Sequence, residues 1–301
     1  MSSTFIRFHS YLCITVLVLI ALGGSVRAMN AGLACPDWPL CFGQYVPDYH
    51  PQVYFEFIHR VLAGAVGLVT VYLNGRILFN KSLKKSIRVL AGISFLLLAS
   101  QVVLGGLTVL KLLQSSIVTL HLVFGLGFLS TLLWINLSLR PVGEEMKIPN
   151  GLRLVSLVVL VTVVVQIVLG GTVASNYAGM ACPDFPLCNG QFIPTLKGGV
   201  GLHVLHRLGA YLTLVVVVGF YVLLRGWDLD TNNKITKVAR SLITLVLIQA
   251  ALGIANIKFY LPALITVLHT AVAATIVASV VYVVFLIWTN AARNKILSDT
   301  Q

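Results

Sequence analysis

Four histidines carry the chemistry open to this chain. His59, His121, His206 and His269 all stand within long apolar runs. An ionisable residue inside a membrane span is costly and is by default functional. The four are spaced in register: His59-Arg60 returns as His206-Arg207 at an offset of 147, and His121 returns as His269 at an offset of 148. Paired imidazoles at one depth on neighbouring helices are how a helical bundle holds a haem iron. Hydrogen bonding to backbone or water would explain a lone histidine, but it explains two registered pairs poorly. A metal without a porphyrin would need carboxylate or thiolate partners that are not nearby.

The residues around these histidines repeat as well. Cys35-Pro-Asp-Trp-Pro-Leu-Cys41 returns as Cys182-Pro-Asp-Phe-Pro-Leu-Cys188, again at 147. Prolines and an aspartate favour a tight turn that brings each pair of thiols together. The Cys35–Cys41 and Cys182–Cys188 disulfides can be structural staples or redox-active rings, and zinc is disfavoured by spacing and compartment. Cys13 lies inside the first span and reads as an inert buried thiol. Arg60 and Arg207 could pair with a haem propionate, or snorkel to lipid phosphate. Leu22-Gly23-Gly24, Leu104-Gly105-Gly106, Leu169-Gly170-Gly171 and Leu252-Gly253 recur once per odd-numbered span. They suit close helix packing or the lining of a flat macrocycle. Gln101 and Gln249 precede two of these elements by three residues.

One position breaks the symmetry. Glu56 lies three residues before His59, on the same helical face. Its counterpart is His203. A carboxylate there can act as an acid or base or stabilise a developing cation, and it can also serve as a partner for Arg60. His203 could compete with His206 as a ligand, but the register favours His206, which carries the arginine. The half holding the acid is the half expected to do chemistry.

These residues need a scaffold, and composition identifies it. The chain is 58% hydrophobic and only 10% charged, against roughly 25% charged for a soluble domain. Continuous apolar runs, without alternation, predict an all-α integral membrane protein. Eight spans are expected, at about 10–29, 54–76, 88–110, 115–139, 153–174, 202–224, 239–258 and 263–288. Four spans per half give both halves one orientation, so the expected architecture is two parallel-repeat four-helix bundles, 1–145 and 146–301. Of the 21 Lys and Arg residues, 15 border one side and four the other, with Arg60 and Arg207 inside spans. The positive-inside rule then puts both termini in the cytoplasm and both cysteine loops outside. The +12 net charge is thus a topology signal, and no nucleic-acid partner is expected. The first span is read as a retained helix rather than a cleaved signal peptide.

Glu56-Phe-Ile-His59-Arg60, the four registered histidines, the eight spans and the paired outer-loop cysteines closely resemble the Cox15/CtaA family of bacterial haem A synthases. The resemblance covers essentially the whole chain. It implies oxidation of the C8 methyl of haem O to a formyl group, giving haem A for cytochrome oxidase. It also implies that the N-terminal half holds substrate haem between His59 and His121. The C-terminal half would hold a resident haem b on His206 and His269. Glu56 matches the family's catalytic glutamate, and Cys35 with Cys41 matches the pair often assigned a redox role. The implied setting is the inner cell membrane, with haem O as substrate. A haem O synthase, an electron donor or acceptor and further copies of the chain are the candidate partners. The principal alternative is a di-haem b-type cytochrome that only transfers electrons. Four histidines suit it equally, but Glu56 in one half does not.

Overall fold

The computed structural model describes residues 1–141, 146–192, 194–227 and 233–298, with side chains described as far as residue 292. Among the described residues, eight helices are long and apolar enough to cross a membrane. These are α1 (Ser3–Ala28), α2 (Pro51–Leu78), α3 (Lys85–Leu110), α4 (Ser115–Ser138), α5 (Leu152–Ser175), α6 (Gly198–Gly226), α7 (Lys234–Lys258) and α8 (Ala263–Ser298). Among the described residues no β-strand forms, only two isolated bridges in the outer loops. An apolar solvent leaves backbone groups no outside partner, so each run satisfies its own hydrogen bonds as a helix.

All eight expected spans are present, and most extend beyond the expected ends. Helix α1 begins seven residues before the expected span and α8 ends ten residues after it. Hydropathy reports only the hydrocarbon layer, whereas a helix continues into the polar interface once capped. Ser2 caps α1 by accepting a hydrogen bond from the Phe5 amide, and Asn233 does the same for Ile235 at α7. Pro51 opens α2 at a position where no amide donor is needed. The expected boundary between the halves, at residue 145, lies outside the described residues.

Helices α1 to α4 close on themselves, since α1 packs on α2 and α4 while α3 packs on both of those. Helices α5 to α8 close in the same way. The two groups meet through α1 with α8 and α4 with α5 and α8. One apolar core, with Leu12, Val16, Leu73 and Leu132, fills the first group. The other, with Val163, Phe220, Leu242 and Val280, fills the second and includes Leu126 of α4. Outward-facing residues at mid-helix are as apolar as the core: Leu68 is 76% exposed and Val215 67%. Such surfaces fit lipid rather than water.

The first group carries a buried polar chain near its basic end. His9 donates from Nε2 to Asn74 Oδ1 at 3.0 Å, and Asn74 donates to Ser94 Oγ at 2.7 Å. This ties α1, α2 and α3 together, with every link paired. Cys13 is buried and free beside His9.

Candidate functional site

The first histidine of each pair lies eight residues past the start of its helix, His59 on α2 and His206 on α6. The second lies six residues in, His121 on α4 and His269 on α8. That puts them about 12 Å and about 9 Å below their helix starts. His59 is close enough to His121 to interact electrostatically, and His206 to His269.

Each imidazole rests against a glycine of the preceding odd-numbered helix. A Cβ at Gly23 would stand 3.2 Å from His59 Cε1, and one at Gly170 only 2.9 Å from His206 Cε1. Gly105 and Gly253 meet His121 and His269 in the same way, at 3.4 Å. The first glycine of the repeated element therefore seats a histidine. The second does something else: Gly24 meets Thr270 and Gly171 meets Leu122, both across the junction between the two helix groups.

The ring nitrogens are poorly served by the protein itself. Nδ1 of His59, His121 and His269 is buried without a hydrogen-bond partner. His269 lies beside the Gln249 backbone without completing such a bond at Nδ1. Buried polar atoms are rarely left alone. Nε2, the nitrogen that would hold iron, takes part in no hydrogen bond in any of the four described histidines, so the donor set fits haem between each pair, with the ring protons left on Nδ1. Among the described residues no cluster of three or more His, Cys, Asp or Glu could hold a metal ion.

The cysteine rings close above these histidines. Cys35 and Cys41 are bonded, with Cα atoms 4.8 Å apart, as are Cys182 and Cys188, at 4.6 Å. Asp37 organises the first ring. Its carboxylate accepts from the Phe42 and Gly43 amides at 2.7 and 2.8 Å. Both turn residues have positive φ, which suits glycine at position 43. The Gly43 amide is the main cause holding the Asp37 carboxyl below its ordinary pKa, with Phe42 and Arg60 adding. Asp184 repeats this with Gly190 and Asn189.

The two arginines bind these rings. Arg60 donates from Nη1 to the carbonyls of Asp37 and Leu40 at 2.9 and 2.7 Å. Arg207 donates to the carbonyls of Leu187, Cys182 and Asp184 at 2.8, 2.8 and 2.9 Å. Each arginine thus joins its disulfide ring to the helix that carries its histidine. Nε of Arg207 is buried and has no partner.

Glu56 is where the halves diverge. It is 4% exposed. Oε2 accepts from the Cys35 amide at 2.9 Å, and Oε1 from Arg60 Nη2 at 2.5 Å. The carboxylate is fixed between ring and arginine, one helical turn outward of His59. In the other half Arg207 takes up the Cys182 carbonyl instead. His203, at the Glu56 position, hydrogen-bonds through Nδ1 to the Ala178 carbonyl at 3.0 Å and faces the loop.

A second divergence pairs two substitutions. Trp38 of the first ring lies on Gly106, where a Cβ would be 3.2 Å from the indole. The corresponding residues are Phe185 and Ile254. The smaller ring is matched with the larger helix residue. Gly106→Ile should lift Trp38 off α3 at a cost of about 1–3 kcal/mol. Adding Trp38→Phe should recover most of it, as read by thermal unfolding in detergent.

Sequence reading missed Gln166. Its amide Nε2 lies 3.0 Å from both Nδ1 and the backbone carbonyl of His206. The signal was available, because Gln166 precedes Leu169-Gly170 by the same three residues as Gln101 and Gln249 precede their elements.

Known proteins place this geometry. The family described as COX15-CtaA, cytochrome oxidase assembly protein, matches residues 7–53 and 48–281. A Heme A synthase from Shewanella oneidensis is 30% identical, covering 90% of this chain and 93% of the relative. Those from Halalkalibacterium halodurans and Symbiobacterium thermophilum are 28% and 30% identical, covering 96% and 85% of this chain and 97% and 87% of the relatives. Nearly full-length similarity together with a family match over most of the chain settles membership: this multi-pass membrane protein belongs to the COX15-CtaA family.

Proposed function

We propose that this chain is a haem A synthase, an oxidoreductase that converts the C8 methyl of haem O to a formyl group. The observation that carries this reading is the asymmetry at Glu56. Two similar pairs of histidines are supplied, and only one has a buried carboxylate a turn away. Electron transfer alone needs no acid there, so the di-haem cytochrome is the weaker reading.

In this reading residues 1–145 and 146–301 are parallel repeats. Arg27 supports that relation by hydrogen-bonding the carbonyl of Ala174, its own counterpart at offset 147. A residue that touches its own equivalent stands at the axis relating the two copies. The family supports the inner cell membrane as the setting, and the distribution of lysine and arginine supports cytoplasmic termini.

His59 and His121 hold the substrate haem, and His206 and His269 hold a resident haem b. The resident group, when bound, supplies one-electron chemistry. The chain's own residues do the rest. Gly23 and Gly105 set the imidazoles of the substrate site. Taking the methyl to a formyl group removes electrons and adds an oxygen atom, so an oxidant and an oxygen source from outside the chain are co-reactants. Glu56, already ionically paired with Arg60, would offer negative charge to the methyl carbon as positive charge develops there. It can also accept a proton released in that step. Arg60 and the Cys35–Cys41 ring keep the carboxylate from swinging away. The unpartnered Nε of Arg207 is a donor for a propionate of the resident haem.

Expression with a haem O source, followed by haem extraction, chromatography and mass measurement, tests the reading. Haem A or its hydroxylated precursor is the expected product. Haem b alone, with haem O available and unaltered, would favour the cytochrome.

A further inference from the structure

We infer that Gln166 is a positioning residue for the resident haem, and that its absence from the equivalent place beside His59 leaves the substrate haem exchangeable. This rests on the assignment of His206 to haem b and His59 to haem O.

The four histidines have four matching positions on the preceding odd-numbered helix, each one turn before the seating glycine. Three are glutamines: Gln101 on α3, Gln166 on α5 and Gln249 on α7. The fourth, on α1, is Leu19. The helix carrying each histidine answers in kind. One turn past His206 stands Gly209, and any side chain there would collide with the Gln166 amide. One turn past His121 stands Gly125, where a Cβ would lie 3.1 Å from Gln101 Oε1. The counterpart of Gly125 is Ala273, four residues past His269, and the counterpart of Gly209 is Leu62, three residues past His59. Glycine makes room for Gln101 and for Gln166, while leucine stands at both positions of the site that has no glutamine.

The three glutamines are used differently. Gln101 donates to the backbone carbonyl of His121 at 3.2 Å and not to its ring. The Gln249 amide oxygen is buried without a partner. Only Gln166 reaches an imidazole, with Nε2 at 3.0 Å from Nδ1 of His206. Its Oε1 is buried and unpartnered. Iron on Nε2 leaves the ring proton on Nδ1, which then needs an acceptor. Turning the amide about its last bond brings that free oxygen to the proton, in exchange for the bond that Nε2 otherwise gives the His206 carbonyl. A ligand histidine held this way is fixed in orientation and more basic. A more basic ligand favours ferric over ferrous iron and so lowers the midpoint potential.

Nδ1 of His59 has no partner, and leucine stands at the position that Gln166 holds beside His206. A ligand without this support is easier to displace. That suits a site whose haem must leave as product, while the supported site keeps its haem.

The test uses full-length protein in detergent, reading haem transfer to a scavenging apoglobin and the midpoint potential of the C-terminal haem. Gln166→Leu should release that haem about tenfold faster or more and raise its potential. Gln166→Glu keeps an acceptor and should hold haem at least as well as wild type, with a lower potential. Leu19→Gln with Leu62→Gly should slow release of haem O from the other site. Wild-type release and potential in Gln166→Leu would overturn the inference. If that variant does not fold, an unchanged potential in Gln166→Glu would overturn it. His206→Ala separates the underlying assignment: if it still retains haem b, the assignment of the resident site fails instead.

Discussion

Glu56→Gln should stop formyl production while both haem sites still fill. Glutamine keeps the length of the side chain and an oxygen for the Cys35 amide, so the ring stays attached. What it removes is the charge, and with it the stabilisation of a cationic carbon and the capacity to accept a proton. Loss of one well-placed electrostatic group costs about 10²–10³ in turnover. Extracted haem should therefore be unmodified haem O and haem b, with haem A below a hundredth of wild type. Glu56→Ala is the less clean variant. It also leaves the Cys35 amide and Arg60 without the acceptor they now share, so loop disorder and lost chemistry would coincide. Ordinary haem A yield from Glu56→Gln would remove Glu56 from the reaction.

The second large effect concerns the histidines taken by half. His59→Ala and His121→Ala should each abolish haem A formation while leaving the C-terminal haem b bound and redox-active. His206→Ala and His269→Ala should empty the C-terminal site and stop turnover by removing the resident group. Haem O should still be recovered from the N-terminal half of these two variants. The separation follows from packing: each pair is seated by glycines of its own four helices, and the two apolar cores are largely separate. Absorbance spectra with extracted haem composition decide it. Loss of both haems from any single variant would mean that the sites depend on each other more than this packing allows.

Much of the scaffold was legible because the bilayer leaves few options. Long apolar runs must be helices, and eight were found where eight were expected. Their ends were not legible, since Phe5, Arg7 and His9 lie in helix beyond the apolar run. The histidines and cysteine pairs were legible as repeats. The arginines were only half legible. Their position beside the histidines suggested a propionate; what it did not suggest is that their guanidinium groups also bind carbonyls of the disulfide rings. No spacing rule says which way a ring turns its carbonyls. The repeated glycines were read as one feature and are two: the first seats an imidazole, while the second meets a neighbouring helix or Trp38. Glu56 was legible as an exception, and the Cys35 amide as its partner was not, because that contact joins residues 21 apart across a loop.

The most direct test is an experimental structure of the protein loaded with haem O. Haem O iron should lie between His59 and His121, with its C8 methyl turned toward Glu56 and haem b between His206 and His269. Haem O bound in the C-terminal half, or bound at His59 with the C8 methyl on the edge away from Glu56, would contradict this assignment.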